Sequence, residues 1–292
     1  MVRTPITLSN KSYLFIANPQ AGKSPNRVMD VIKENMPGGS SLVTTQKAGD
    51  AYLFAWRGAK EGKICVAVGG DGTVNEVARG VMKENGIMGV IPAGSGNGVS
   101  RHFHIPQKPE KALKRLLEGR EKTVDTAKAG EHFFMMLAGL GFDAHVAEKM
   151  AQRKKRGLYA YVKIVAQLWL KRKPVKVKIE HDEGIENVTA FSIIAANTSQ
   201  FGNNVYIAPG ADATDGYLDL VIVKSFLSSA LIRVVLEVMG VVKRPKYVRR
   251  LKTKKALLTS YETKMNIDGE HVTVQSPVIV ECVPSSLRLI IA

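Results

Sequence analysis

Residues 63–77, KICVAVGGDGTVNEV, decide how the rest of the chain is read. The apolar run at 64–68 is short and continuous, as in a strand buried on both faces. It stops at Gly69 and Gly70. Asp71, Gly72 and Thr73 follow, and a helix is expected from about Thr73 to Met82. Successive N–H groups of a Gly-Gly-Asp-Gly turn can face one concavity and hold an anion, and the following helix adds its N-terminal N–H groups and dipole. A Cβ at Gly69, Gly70 or Gly72 would then block the approach of a phosphate. Asp71 cannot hold a phosphate alone, because two anions repel. It fits a site where a metal ion lies between them, or where a hydroxyl gives up its proton. Taken alone, the turn reads equally well as a tight strand-to-helix junction capped by Asp71.

The neighbouring sequence favours a ligand. SYLFIAN (12–18), SLVTT (41–45) and IMGVIPAG (87–94) read as further buried strands. Helices are expected over 25–33, with Ser24 as N-cap and Pro25 at the first position, and over 51–60. Strands alternating with helices at this spacing imply βαβ units and a parallel sheet. A second glycine loop, PAGSGNG (92–98), follows the next strand at the corresponding place. Ligands of open α/β sheets sit at such carboxyl ends.

After about Glu121 the rhythm changes. TVDTAKAG, HFFMMLAG, VKVKIE, VTAFSIIAAN, YLDLVIV, KALLTSY, KMNIDG, HVTVQ, VIVECV and LRLIIA read as strands, several with the alternation of half-buried antiparallel pairs. Two helices interrupt them, with apolar stripes Leu158, Tyr161, Val162, Val165, Trp169 and Leu231, Val234, Val235, Val238, Val242. The expected fold is an α/β N-terminal domain with a parallel sheet (1–124) and a β-rich, antiparallel sandwich-like C-terminal domain (125–292), with a cleft between.

The 292 residues carry a net charge of +16. Ten Lys/Arg and no acid fall within 153–178, and eight and no acid within 243–255. Such runs suit polyanions: nucleic acid, nucleotide phosphates or anionic lipid. Aromatics are not interleaved as single-strand stacking platforms would require, so no specific nucleic acid is expected. Cys65 and Cys282 both lie in apolar strands and read as core residues in a reducing cytoplasm. The segment MVRTPITLSNKSY lacks the apolar core of a signal peptide, and no run approaches the roughly 20 apolar residues of a membrane span.

Two other glycine motifs compete. ANPQAGKS (17–24) matches a P-loop only with Ala in place of the first glycine, and Pro19 removes a backbone donor. GLGFDA (139–144) fits a loose dinucleotide pattern, but the acid wanted about 20 residues later is replaced by a basic amphipathic helix. A turn needing flexible backbone is the better reading.

Taken in order, NPQAGKS, GGDGTVNEV, PAGSGNG, AGLGFDAHV, IAPGADATDGYLDL and IDGE resemble the motifs of the diacylglycerol kinase catalytic family, which includes bacterial lipid kinases and sphingosine kinases. The resemblance covers nearly the whole chain. It implies an ATP-dependent lipid kinase using Mg²⁺. It places Asn18, Thr45, Gly69, Gly70, Asp71, Gly72, Thr73, Val74, Asn75, Gly94, Ser95, Gly96 and Asn97 around ATP. Asp71 would manage the phosphates or the substrate hydroxyl. Asp212, Asp215 and the carbonyl of Tyr217 would hold a structural Mg²⁺, an oxygen set suited to a hard cation. Glu270 would be the general base with Asp268 beside it, and Asp125 matches an acidic position where the domains join. Without the family, NIDGEHV is a hairpin turn, because Asp-Gly is the strongest such signal; a hairpin tip can still carry a base.

One position departs from the family: its second glycine loop ends in Asp, and here Gly98 stands there. The implied partners are a lipid substrate and an anionic membrane surface, with a peripheral place at the inner face of the membrane. A homodimer is permitted. Lys154, Lys155 and Arg156 suit phosphates or headgroups. The alternatives are an NAD kinase-like enzyme, which shares the Gly-Gly-Asp-Gly-Thr turn, and a non-catalytic membrane or nucleic-acid binder on the same fold.

Overall fold

Strands whose every side chain is buried set the plan of the N-terminal half. In a computed structural model, residues 12–22, 24–153, 158–169 and 173–291 are described, the side chains of 158–162 and Ser228 excepted. The chain divides into two units: Met1–Thr123 with Leu287–Ala292, and Val124–Ser286. The first contains β1 (Tyr13–Ala17), α1 (Pro25–Asn35), β2 (Ser41–Thr44), α2 (Asp50–Lys60), β3 (Ile64–Gly69), α3 (Asp71–Met82), β4 (Ile87–Pro92), α4 (Gly98–His102) and α5 (Pro109–Glu118). Strands β1, β3 and β4 are buried throughout. They pair in parallel in the order β4-β3-β1-β2. Burial pushes the Cys65 thiol up to about 12, as befits a core residue. Glycines let the covering helices close in: a Cβ on Gly80 of α3 would lie 2.5 Å from the Tyr52 carbonyl oxygen of α2.

The chain enters the second unit along β5 (Arg120–Ala129). There follow β6 (His132–Phe134), β7 (Leu137–Gly141), α6 (Phe142–Ala151), α7 (Leu158–Trp169), β8 (Val175–His181), β9 (Gly184–Ala196) and β10 (Leu218–Lys224). The remainder is α8 (Leu231–Val238), β11 (Val248–Thr253), β12 (Lys255–Ser260), β13 (Lys264–Ile267), β14 (Glu270–Thr273) and β15 (Val278–Ile291). Pairing within the unit is antiparallel along β14-β13-β7-β9-β8-β12-β15, with β10 between β9 and β11. Alternate residues of these strands, among them Ile179, Ile193, Leu220, Met265 and Val280, form its core.

Several elements differ from expectation. VIVECV and LRLIIA form one strand, β15, whose end returns to the first unit. There Arg288 and Leu289 pair in parallel with Ile87 and Met88, so the second unit does not run to residue 292 as expected. Arg288 also donates to both carboxylate oxygens of Glu121, at 2.6 and 2.8 Å. HFFMMLAG breaks into β6 and β7 because a carboxylate captures the N–H groups of Met135 and Met136. The turn expected at GLGFDA contains Gly141 at φ +91°, and it opens directly into a helix, α6. β11 was hidden in the basic run, where Val248, Leu251 and Thr253 face inward between Arg and Lys. The α7 stripe lies partly outside the described side chains; Ile164, not a member of it, is buried.

In the α8 region the expected stripe largely faces inward, with Leu231, Val238 and Val242 half-buried. Val234 and Glu237 are buried, whereas Val235 is exposed. Glu237 is fully enclosed and bonded to Arg233 Nε at 2.9 Å and to the N–H groups of Tyr247 at 2.6 Å and Val248 at 3.0 Å. Burial alone would raise its carboxyl. The Lys246 N–H, Arg233 and the N–H groups of Tyr247 and Val248 outweigh that and hold it at about 2. A carboxyl depressed in the folded state stabilises above its unfolded value, and the gain is lost as pH falls from about 4.5 toward about 2. Glu237→Gln should therefore lower the melting temperature at neutral pH, by roughly 1–3 kcal/mol of stability. It should also flatten the acid limb of a melting-temperature profile; an unchanged acid limb would contradict this role.

Candidate active site

The register brings residues of the first unit's predicted site together. Ala17 of β1 lies opposite Thr44 and Val68, and Gly69 opposite Pro92, so Asn18, Thr45, Gly70 and Ala93 follow four adjacent strands at one sheet edge. The N–H of Asn18 donates to Val68 O at 3.0 Å, that of Thr45 to Ala17 O at 2.9 Å and that of Ala93 to Gly69 O at 2.8 Å. Asn18 Oδ1 accepts from the Gln20 N–H at 2.9 Å and shapes the first loop. In that loop Gly22 has φ +68°, and a Cβ there would collide with the Ala93 carbonyl oxygen. Lys23 lies outside the described residues.

The glycines of the opening stretch are bare for three different reasons. A Cβ on Gly69 would run into the side chain of Thr73, which is itself buried. A Cβ on Gly70 would stand 3.2 Å from Gly94 Cα, and one on Gly94 would overlap Gly70 Cα and lie 2.9 Å from Asn97 Oδ1. Only Gly72 has no protein atom within 4 Å of such a Cβ. The close approach of protein thus accounts for Gly69, Gly70 and Gly94, whereas Gly72 has open space beside it. The first helical N–H bond of α3 is Val74 to Gly70 O, 3.0 Å, so the preceding N–H groups have no acceptor within the helix. Val74 is buried with the core and Asn75 is half-buried.

The second loop is organised by Asn97, buried at φ +54°. Its Oδ1 accepts the Gly94 N–H and its Nδ2 donates to Gly94 O, both at 3.0 Å, and also to Gln107 Oε1 at 3.0 Å. Its amide is therefore used in holding the loop. Gly96 O accepts from Arg101 Nε at 3.1 Å, and Ser95 is exposed at the tip. Asp71 opens α3, and its Oδ1 accepts from the Val99 N–H at 3.4 Å. It is thus the carboxylate facing the start of α4, beside the bare Gly98. Glu76, absent from the expected set, accepts the N–H groups of Gly49 at 3.0 Å and Ala51 at 3.1 Å and so caps α2. Its place one helical turn after Asp71 in the same signature was the available signal.

In the second unit the acids fall into one hydrogen-bonded network. Asp125 is buried; its Oδ2 accepts the Gly216 N–H and its Oδ1 the Ser285 N–H, both at 2.7 Å. Its own N–H donates to Ala213 O at 2.7 Å, so it grips the turn carrying Asp212, Asp215 and Tyr217. Asp268 accepts three N–H groups: Met135 and Met136 at 2.8 Å and Leu137 at 3.0 Å. With Asp268 at φ +51° and Gly269 at φ +90°, it forms the two-residue turn between β13 and β14. Glu270 begins β14 with its side chain exposed. Asn197 joins the two: its Nδ2 donates to Asp125 O at 3.0 Å and to Met135 O at 2.8 Å. Sequence reasoning missed it; an amide at the end of the apolar run FSIIAAN was its only mark. Also missed was Asp143, buried under Asn266 at 2.8 Å, whose carboxyl burial pushes up to about 7.

The turn's donors suit a hard cation in kind: two carboxylates and a carbonyl, all oxygen. Asp212 accepts from Thr214 Oγ1 at 2.8 Å, and Asp215 Oδ1 from the Tyr217 N–H at 3.0 Å. Asp215 Oδ2 already holds the Lys252 ammonium. That bond to Asp215, with Asp219 and Asp212 nearby, raises Lys252 above the usual lysine range, against its burial. Among the described residues no three His, Cys, Asp or Glu side chains make a metal cage. A cation at this turn would therefore complete its shell with water and compete with Lys252. The basic run 243–255 is likewise divided: Arg249 pairs with Glu186, Arg250 donates to the Glu237 and Val238 carbonyls, and Lys255 faces Glu281. Lys154, Lys155 and Arg156 lie outside the described residues.

Comparison with known proteins agrees with this geometry. Residues 12–129 match the model of the diacylglycerol kinase catalytic domain, and residues 137–291 that of the YegS C-terminal NAD kinase β-sandwich-like domain. Diacylglycerol kinases of Staphylococcus aureus strains JH9 and NCTC 8325 are 31% identical over 271 residues, covering 88% of this chain and 85% of theirs. A crystal structure of a diacylglycerol kinase from Bacillus anthracis str. Sterne shares the fold, with a TM-score of 0.74 at 20% identity over 97% of both chains. No described helix is long and apolar enough to cross a membrane. The chain thus belongs to the diacylglycerol kinase family, as a lipid kinase of the catalytic-domain and β-sandwich-like-domain type.

Proposed function

We propose that the protein transfers the γ-phosphate of ATP to the hydroxyl of a lipid alcohol, diacylglycerol being the first to test. The observation that carries this is the pair of glycine loops after β3 and β4, in van der Waals reach at Gly70 and Gly94, with Gly72 open and Asp71 at the junction. The triphosphate would lie along Gly70, Gly72 and the first turn of α3, where N–H groups and the helix dipole favour negative charge. Mg²⁺ accompanying ATP supplies charge neutralisation on the phosphates. The lipid oxygen bonds to the γ-phosphorus as the bond to the ADP oxygen breaks, and the hydroxyl proton passes to a carboxylate. Glu270 and Asp71 are the two carboxylates proposed for it. Asp268 and Asp125 then act as positioning residues: one shapes the hairpin that presents Glu270, the other the Asp212–Tyr217 turn. Asp212, Asp215 and the Tyr217 carbonyl would hold a structural Mg²⁺. The family position lost at Gly98 leaves Asp71 as the acid of that loop pair.

Transfer of ³²P from ATP to dispersed diacylglycerol, sphingoid base, phosphatidylglycerol and NAD separates the lipid kinase from the NAD kinase reading. Asp71→Asn and Glu270→Gln should each lower kcat by on the order of 100-fold or more if their carboxylates take the proton. Full activity in Asp71→Asn would remove the mechanism. Gly72→Ala gives a sharper split. A helical Ala is favoured over Gly by about 0.5–1 kcal/mol, so the melting temperature should hold or rise while KM for ATP increases. An unaltered KM would place the phosphates elsewhere. For the cation turn, Lys252→Met removes the competing ammonium. Its melting temperature should rise more on exchange of chelator for MgCl₂ than that of the parent chain, and equal melting in both would exclude a cation there.

A further inference from the structure

Helix α8 carries apolar side chains on two sides: Leu231, Val234 and Val238 face inward, buried or half-buried. An amphipathic helix on a domain normally buries its apolar stripe. Here a second set, Ile232, Val235, Leu236 and Met239, spaced i, i+3, i+4, i+7, is exposed at 77%, 47%, 39% and 43%. Leu227 before the helix and Val241 after it are exposed at 78% and 63%. Polar bonds add to this inward stripe: the enclosed Glu237 carboxylate on the N–H groups of Tyr247 and Val248, and Arg250 on the carbonyls of Glu237 and Val238 at 2.8 and 2.6 Å. With that stripe already inward, the second apolar side is left facing outward. A contiguous apolar face of this kind marks an interaction site.

Charge selects the occupant. Lys243, Arg244 and Lys246 follow within five residues of Val241 and are exposed; among the described residues none is in an ion pair, and Lys246 lies over the Tyr247 ring. The more distal cations of the same run, Arg249, Lys252 and Lys255, are taken up by Glu186, Asp215 and Glu281. Apolar side chains on one face of a short helix with unpaired cations at its end suit the boundary between headgroups and acyl chains of an anionic bilayer. We propose that α8, with residues 227 and 239–246, is the element by which this protein docks on anionic membrane surfaces. This rests on the lipid kinase reading, since such an enzyme must meet its substrate at a bilayer. It assigns that meeting to a surface separate from the glycine loops and from the Asp212–Tyr217 turn.

The test is co-sedimentation of the full chain, without ATP, with vesicles of phosphatidylcholine alone or mixed with phosphatidylglycerol. The parent chain should bind the mixed vesicles and release them as salt rises. Ile232→Ser with Leu236→Ser, and separately Lys243→Gln with Arg244→Gln, should each weaken binding by about tenfold or more. Both should keep the parent melting temperature and the parent turnover on detergent-dispersed lipid alcohol. Equal binding to neutral vesicles, or parental binding by the Ile232/Leu236 variant, overturns the proposal. So does a dimer in sedimentation equilibrium that this variant splits without loss of vesicle binding, because the face would then belong to a second copy. Vesicle capture is read without phosphate transfer, so failure of the kinase reading in the ³²P assay is seen separately from failure of the docking surface.

Discussion

The nucleotide-side geometry depends on one backbone-to-backbone approach. Gly70 and Gly94 meet with no room for a Cβ on either, and Gly22 is pressed onto Ala93 in the same way. Three loops from three neighbouring parallel strands are thereby drawn into one surface of main chain. Side chains would hold them apart and replace N–H groups with apolar bulk. Asn97 fixes the second loop by spending both ends of its amide on Gly94, and Glu76 fixes the entry to α2. Asn97 is held in the left-handed region, at φ +54°, by these contacts.

The second unit uses carboxylates in the opposite sense. Asp125 and Asp268 look like site acids in sequence, yet each is consumed in binding backbone N–H groups, and Asn197 ties the two together. They set the positions of Asp212 and Asp215 on one turn and of Glu270 on another.

The layout was legible where periodicity was strong. The fully apolar strands around KICVAV and IMGVIP specified the parallel sheet, and Asp-Gly specified the β13–β14 hairpin. Legibility failed where charge or tertiary pairing overrode local pattern. Arg and Lys between Val248, Leu251 and Thr253 concealed β11, and nothing in LRLIIA reveals that it pairs with Ile87 and Met88 some 200 residues earlier in the chain. In α8 the inward stripe was legible except at Val235, whereas the buried Glu237 beside it was not. For the site, the two glycine loops picked out in sequence meet at Gly70 and Gly94, and most of these glycines are bare to admit protein.

The central claim is that this glycine surface, with Gly72 as its open position, binds the phosphates of a nucleotide. Calorimetric titration with Mg·ATP and with adenosine tests it most directly. The account predicts that ATP binds far more tightly than adenosine and that Gly72→Ala removes most of the difference while leaving adenosine binding unchanged. Adenosine binding as tight as ATP, or a Gly72→Ala chain that still favours ATP to the parental degree, would contradict it.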